Sequence, residues 1–189
     1  ICLTAYSKNI AQIIDKHTDL ILVGDSLGSV LYNFKSTRSV TLEMMIKHSK
    51  STRQGISKSL MVVDMPFNTY NNPIQALKNC KKVMKLTKCD GVKLEGGLRI
   101  IKIIKLLIKN RIPVMGHLGI LPQFTKGKFR SKGKSTKEKK EIIRDSKLLE
   151  NAGVFSLVLE CVEKNLAKEI TNSISIPTIG IGSSNNCDG

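Results

Sequence analysis

The chain has 189 residues, of which 41% are hydrophobic and 4% aromatic, a size and composition that suit one packed domain and argue against a disordered chain. Its 31 Lys and Arg against 15 Asp and Glu give a formal charge of +16, but lysines dominate, are spread over nearly every helical segment, and have few aromatic residues nearby on which bases could stack. A solvated basic face that attracts small anions is therefore expected ahead of a nucleic-acid surface, and no apolar run approaches the about 18 residues of a membrane-spanning helix.

In chain order, the first expected strand is Cys2–Ala5. No signal-peptide pattern and no initiator Met precede it, so the amino end is expected to be a cut one. Ile10, Ile13 and Ile14 repeat at helical spacing, followed by a strand at Leu20–Val23. Met44, Met45 and Ile46 with their polar flanks predict a second helix, and Leu60–Val63 a third strand. Asn72-Pro73 opens the next helix, an N-cap side chain before a proline whose missing N–H costs nothing in the first turn. Strand Gly91–Leu94, a helix over Leu98–Ile108 and strand Val114–Gly116 follow. The densest basic run, Lys126–Lys140, reads as a mobile surface loop leading into a helix that starts at Ser135, with a capping-box pattern to Glu138, and ends at Asn151 before Gly153. Strand Ser156–Leu159, a helix over Leu166–Asn172 and strand Thr178–Ile181 complete the chain.

The five cysteines, Cys2, Cys80, Cys89, Cys161 and Cys187, are odd in number and contain no C-x-x-C pair, which points away from zinc or a disulfide framework and towards a reducing, cytoplasmic compartment. No internal repeat and no linker divides the chain, so residues 1–189 are expected to form a single (β/α) domain.

Several strands are continuous apolar runs, as expected for parallel strands covered on both faces. Seven such units with intervening helices fit a (β/α)8 TIM barrel lacking part of its last unit, and they also fit a doubly wound open sheet. The polar residues favour the barrel. Val23-Gly24 leads to Asp25-Ser26, Val63 to Asp64, Val92 to Lys93 and then Glu95, Gly116 to His117, and Leu159 to Glu160. In a parallel barrel all carboxyl ends of strands face one rim, so these groups would line one cavity.

Each residue also has an ordinary structural explanation. Asp25 could cap the helix that follows, as could Asp64 with its Pro66 turn, Glu160 could pair with a surface Lys, and His117 could be a satisfied buried imidazole. Taken together, Asp25, Asp64 and Glu95 are hard oxygen donors that suit Mg2+, which polarises carbonyl groups as a Lewis acid. Lys93 and His117 suit a substrate carboxylate or a developing oxyanion, and Glu160 suits a proton acceptor. The turns Glu95-Gly96-Gly97 and Gly180-Ile181-Gly182-Ser183 lack a dinucleotide or P-loop pattern and imply no cofactor.

Eight segments carry a resemblance: LTAY at Leu3–Tyr6, LVGDSLG at Leu22–Gly28, VTLEMMIKH at Val40–His48, DMPF at Asp64–Phe67, VKLEGG at Val92–Gly97, IPVMGHLGILPQ at Ile112–Gln123, AGVFSLVLECV at Ala152–Val162 and IPTIGIGS at Ile176–Ser183. In order and spacing they resemble the ketopantoate hydroxymethyltransferase family across essentially the whole chain. The resemblance implies a barrel of the phosphoenolpyruvate–pyruvate type. It implies transfer of a one-carbon unit from 5,10-methylenetetrahydrofolate to 3-methyl-2-oxobutanoate, giving 2-dehydropantoate for pantothenate and coenzyme A synthesis. It also implies a magnesium shell of Asp25, Asp64 and Glu95, with Asp25, Ser26, Asp64, Lys93 and His117 around the 2-oxo acid. Glu160 is implied as the base that yields a metal-bound enolate, and the protein as a homo-oligomer. Related barrel lyases and mutases acting on other 2-oxo acids share this chemistry and remain an alternative, as does a basic nucleic-acid-binding domain. Ser7 stands where the family usually has Asp, and the segment over residues 124–135 is shorter than the family's loop. The family also has an earlier helix, an eighth strand and carboxy-terminal helices beyond these 189 residues.

Overall fold

The computed structural model describes residues 1–125, 127 and 129–189; Lys126 and Lys128 of the basic run lie outside the described residues. Seven strands form one sheet in which spatial order follows chain order from first to last. The registered neighbours run parallel, for example Ile21 opposite Met61, Asp64 opposite Lys93 and Leu159 opposite Gly180. A doubly wound sheet reverses its strand order at a switch point. The uninterrupted order excludes that architecture and leaves the barrel-type succession of β/α units.

The chain separates into two compact units, 1–93 and 94–189, with the division falling inside one strand. The first unit holds β1 (Cys2–Thr4), α1 (Lys8–Ile14), β2 (Leu20–Val23), α2 (Leu27–Tyr32), α3 (Leu42–Arg53), β3 (Leu60–Asp64) and α4 (Pro73–Thr87). Ile21, Val23, Met61, Val62 and Val63 are buried, as are Met45, Ala76, Cys80 and Val83 on the inward faces of α3 and α4. The N-cap of α4 forms as its sequence predicts, Asn72 Oδ1 accepting the Gln75 N–H at 2.9 Å. By contrast, Ser7 occupies the N-cap position of α1 without making a side-chain cap.

The strand that follows, β4 (Gly91–Glu95), contains the division. The second unit continues with α5 (Ile101–Lys109), β5 (Val114–Gly119), α6 (Thr136–Asn151), β6 (Ser156–Glu160), α7 (Lys164–Ser173) and β7 (Thr178–Ile181). Its core includes Ile104, Leu107, Met115, Leu149, Leu157 and Ile170. The capping pattern before α6 is realised by half. Ser135 Oγ accepts the Glu138 N–H at 3.2 Å, but the Glu138 carboxylate turns to the Gly133 N–H instead of returning to Ser135. Lys132, next to Gly133, bridges in parallel to Val162 beyond β6.

All seven expected strands are present. Five differ at their ends: β1 stops one residue earlier, and β3, β4, β5 and β6 run on through Asp64, Glu95, Gly119 and Glu160. Helix α2 is the short helix that follows Asp25-Ser26, and no apolar periodicity marks its extent. Its six residues include Gly28, where a Cβ would lie 2.6 Å from the Val40 side chain, so close packing rather than helix propensity selects the glycine.

Candidate active site

In the first unit, the carboxyl ends of β2, β3 and β4 bring three buried charged groups together. Asp25 and Asp64 are 4% exposed and Lys93 is 5% exposed. Lys93 Nζ lies 2.9 Å from Asp64 Oδ1, held by the register that sets Asp64 opposite Lys93. The other oxygen of the same carboxylate, Oδ2, accepts the Asp25 backbone N–H at 3.0 Å. An ammonium taken out of water needs such a partner, because the desolvation penalty is several kcal/mol per ion, of order 5 kcal/mol. With both aspartates ionised the trio keeps one net negative charge.

Ser26 is exposed at the start of α2, and its Oγ is 2.8 Å from Tyr6 Oη. Burial pushes the Tyr6 phenol above its ordinary value, the Ser26 hydrogen bond draws it back, and the Asp64 and Asp25 carboxylates push it up again. Tyr6 thus belongs electrostatically with the aspartates. No sequence pattern marks Tyr6 as a site residue beyond its place in LTAY, close after β1.

In the second unit, Glu95, His117 and Glu160 form a row. His117 is 1% exposed; its Nε2 lies 3.1 Å from Glu160 Oε2 and its Nδ1 3.9 Å from Glu95 Oε1. Glu95 is 2% exposed, and its Oε2 accepts the Gln123 backbone N–H at 3.1 Å. The Glu160 side chain keeps 21% of its surface exposed. A carboxylate open to solvent with a buried imidazole beside it can exchange a proton with a small molecule. Arg99 reaches the Glu95 carbonyl at 3.3 Å and stacks 3.6 Å from the centre of the Phe124 ring. Neither Gln123 nor Arg99 was singled out by sequence pattern. Gln123 acts here through its backbone N–H, which no residue type encodes.

Each candidate residue from the sequence therefore lies in one of two clusters, Asp25, Ser26, Asp64 and Lys93 in the first unit and Glu95, His117 and Glu160 in the second. Among the described residues, no group of three or more His, Cys, Asp or Glu side chains is arranged to hold a metal ion. The donors nonetheless suit Mg2+, which typically takes one or two carboxylates and completes its octahedron with water and substrate oxygens. Asp25 and Asp64 supply two buried carboxylates of that kind.

Comparison with known proteins places these residues in context. The ketopantoate hydroxymethyltransferase family matches residues 1–189. A 3-methyl-2-oxobutanoate hydroxymethyltransferase of Pelagibacter ubique (strain HTCC1062) is 68% identical over 189 residues, covering all of this chain and 73% of that protein. One of the same name from Anaplasma marginale (strain St. Maries) is 48% identical over 190 residues, covering all of this chain and 69% of that protein. Among solved structures, phosphonopyruvate hydrolase superposes with a TM-score of 0.74 at 10% identity, over 97% of this chain and 73% of that one. A 2,3-dimethylmalate lyase of the PEP mutase/isocitrate lyase superfamily gives 0.70 at 13% identity, over 95% of this chain and 66% of that one. At such identities the likeness is one of fold, and it places the chain in the (β/α) TIM-barrel class.

Proposed function

Because the chain belongs to the ketopantoate hydroxymethyltransferase family, we propose that the protein is a 3-methyl-2-oxobutanoate hydroxymethyltransferase acting in pantothenate and coenzyme A synthesis. The methylene carbon of 5,10-methylenetetrahydrofolate and the oxygen of a water become the new hydroxymethyl group of 2-dehydropantoate. The observation that carries this reading is the family match along all 189 residues, with Asp64, Glu95 and Glu160 at the carboxyl ends of parallel strands and Asp25 just beyond one. The same match favours the transferase over a lyase or mutase of the same fold and over a nucleic-acid-binding domain.

In the proposed mechanism the Lys93 ammonium, held by Asp64, recognises the carboxylate of the 2-oxo acid together with the Ser26 hydroxyl. Asp25 and Asp64 are the carboxylates that would hold Mg2+, and Glu95 is proposed as a further donor on the strength of the family resemblance. Mg2+ bound by these groups would supply Lewis-acid polarisation of the 2-oxo group, which acidifies the neighbouring C–H. Glu160 takes the proton from C3 of the 2-oxo acid. His117 lies between the two carboxylates, with Nε2 beside Glu160 and Nδ1 towards Glu95. The carbon nucleophile left at C3 forms the new C–C bond to the folate's methylene carbon as one of its two C–N bonds breaks. Water then displaces the second folate nitrogen to give the hydroxymethyl group, and tetrahydrofolate leaves with the protons taken from C3 and from the water on its two nitrogens.

Two features support further parts of the reading. All five cysteines are free, which fits a cytoplasmic protein in a reducing compartment, and no helix among the described residues is long and apolar enough to cross a membrane. Val30, Leu31 and Tyr32 are exposed along α2 and give a homo-oligomer an apolar face on which to form.

The test is direct. Incubating the full chain with labelled 3-methyl-2-oxobutanoate, 5,10-methylenetetrahydrofolate and Mg2+ should yield labelled 2-dehydropantoate and tetrahydrofolate. Calorimetric titration with Mg2+ should weaken for Asp25→Asn, Asp64→Asn and Glu95→Gln. Absence of product under saturating substrates overturns the function. Unchanged Mg2+ affinity in all three variants overturns the metal assignment alone.

A further inference from the structure

Ser26 stands at the N-cap position of α2, where a serine ordinarily accepts from the second or third N–H of its helix, but its hydroxyl makes no cap hydrogen bond. It lies instead 2.8 Å from Tyr6 Oη, contributed by the segment that follows β1. Two hydroxyls carry two protons, and one of these occupies the bond between them, so one O–H remains for a third group. Gly24 keeps the ground beside them clear. A Cβ there would sit 2.8 Å from Ser26 Oγ and 3.6 Å from Asp64 Oδ2, so the serine hydroxyl and the buried carboxylate border the same small space.

Tyr6 is in turn fixed through its main chain. Its carbonyl and His48 Nδ1 are 2.8 Å apart, and because a carbonyl only accepts, Nδ1 carries the hydrogen. In the neutral ring His48 Nε2 then accepts from Tyr32 Oη, also at 2.8 Å. His48 in α3 thereby ties the end of α2 to the residue that holds Ser26 at the start of the same helix.

We propose that Tyr6 is a positioning residue for the 2-oxo acid: its O–H donates to Ser26 Oγ, which leaves the Ser26 O–H directed at the substrate, while His48 locks Tyr6 in register. This rests on the function proposed above and adds to it the residue through which Ser26 is aimed. Tyr6 acts by way of Ser26 and transfers no proton to or from the substrate.

A double-mutant cycle in the full chain tests this. The dissociation constant of 3-methyl-2-oxobutanoate is measured by calorimetry and the kinetic constants by turnover, for the parent, Tyr6→Phe, Ser26→Ala and the double variant. Loss of one well-aligned hydrogen bond should raise the dissociation constant and KM of Tyr6→Phe about tenfold with little change in kcat. In the Ser26→Ala background the same substitution should change them by less than about twofold, because the shared bond is already gone. Thermal unfolding of Tyr6→Phe controls for folding, since only a hydroxyl is removed. His48→Gln, which keeps a donor for the Tyr6 carbonyl, should bind the 2-oxo acid better than His48→Ala. Additive effects of the two substitutions, or no effect of Tyr6→Phe, overturn the proposal even in a fully active transferase. Coupled losses of 2-oxo acid binding in a protein that transfers no hydroxymethyl group support the proposal and overturn the function instead.

Discussion

His117 Nε2 stands 3.1 Å from Glu160 Oε2, the imidazole almost wholly buried and the carboxylate one-fifth exposed. Of the two, the carboxylate is the group a small molecule can reach, and the imidazole is its support. Glu160→Gln keeps the volume and an oxygen for His117 to contact but removes the proton acceptor. We expect kcat to fall by about 10²–10⁴-fold, while binding of the 2-oxo acid stays close to that of the parent. Exchange of deuterium into C3 of 3-methyl-2-oxobutanoate, followed by NMR without folate, is the specific measurement. Undiminished exchange in Glu160→Gln would assign the base elsewhere.

The Lys93–Asp64 pair makes a separate prediction about stability. Lys93→Met leaves the Asp64 carboxylate buried with the Asp25 N–H but without its cation, which should destabilise the protein by about 3–5 kcal/mol in urea denaturation. Lys47→Met, which breaks the exposed Glu43–Lys47 pair on α3, should leave the urea midpoint almost unchanged. Replacing both buried partners, as Lys93→Met with Asp64→Leu, should recover much of the stability and none of the 2-oxo acid binding. That outcome separates a functional ion pair from a merely structural one.

The strands were legible because parallel strands buried on both faces write themselves as short apolar runs bounded by polar turns, as in Met61–Val63 and Ser156–Leu159. Their carboxyl ends were less so. Asp64, Glu95 and Glu160 look like the start of a loop, but they still pair in the sheet, and their polarity reflects the rim they line. The charged site residues could be picked out for the same reason, one by one, at the ends of apolar runs. What the sequence does not express is contact across the chain. Tyr6 meets Ser26 twenty residues later, and the Gln123 N–H reaches Glu95, through distances that only the folded backbone sets. Asp15 is the clearest instance: nothing near it in sequence signals the turn 42 to 44 residues away whose N–H groups it collects.

That carboxylate should be visible in acid. Asp15 is buried between α1 and β2 and accepts from the Ser57 N–H and hydroxyl, the Lys58 N–H and the Ser59 N–H. Burial alone would push its carboxyl up, but these hydrogen bonds together outweigh it and hold the carboxyl well below the usual range. A depressed value in the folded state means that the unfolded chain binds the proton more tightly. The stabilisation is therefore complete above the unfolded carboxyl value near about 4 and drains away as the pH falls towards the folded value. Asp15→Asn should lower stability at pH 7, leaving donors around it without an acceptor at a cost of about 1–3 kcal/mol each. It should also flatten the fall in stability below about pH 4. Urea midpoints measured from pH 3 to pH 7 check both, and parallel curves for parent and variant would remove Asp15 from the acid response.

Gly119 closes β5 opposite Glu160 and tests how far placement of the base depends on backbone alone. Its φ is +95, and an added Cβ would lie 2.1 Å from the Glu160 carbonyl oxygen and 2.8 Å from the Val162 side chain. That same carbonyl accepts the Ile120 N–H at 2.8 Å, so it cannot yield without loosening the turn that holds the end of β6. Gly119→Ala must therefore displace the backbone of Glu160 itself. Gly153, which follows α6 with a φ of +93, is the matched control, because its added Cβ would meet only the Ile108 side chain, at 3.2 Å. Both variants carry the left-handed backbone penalty of about 1–2 kcal/mol, but only Gly119→Ala should also lower kcat, and by more than it raises KM for the 2-oxo acid. Equal kinetic effects of the two substitutions would mean that general destabilisation, not the position of Glu160, limits turnover.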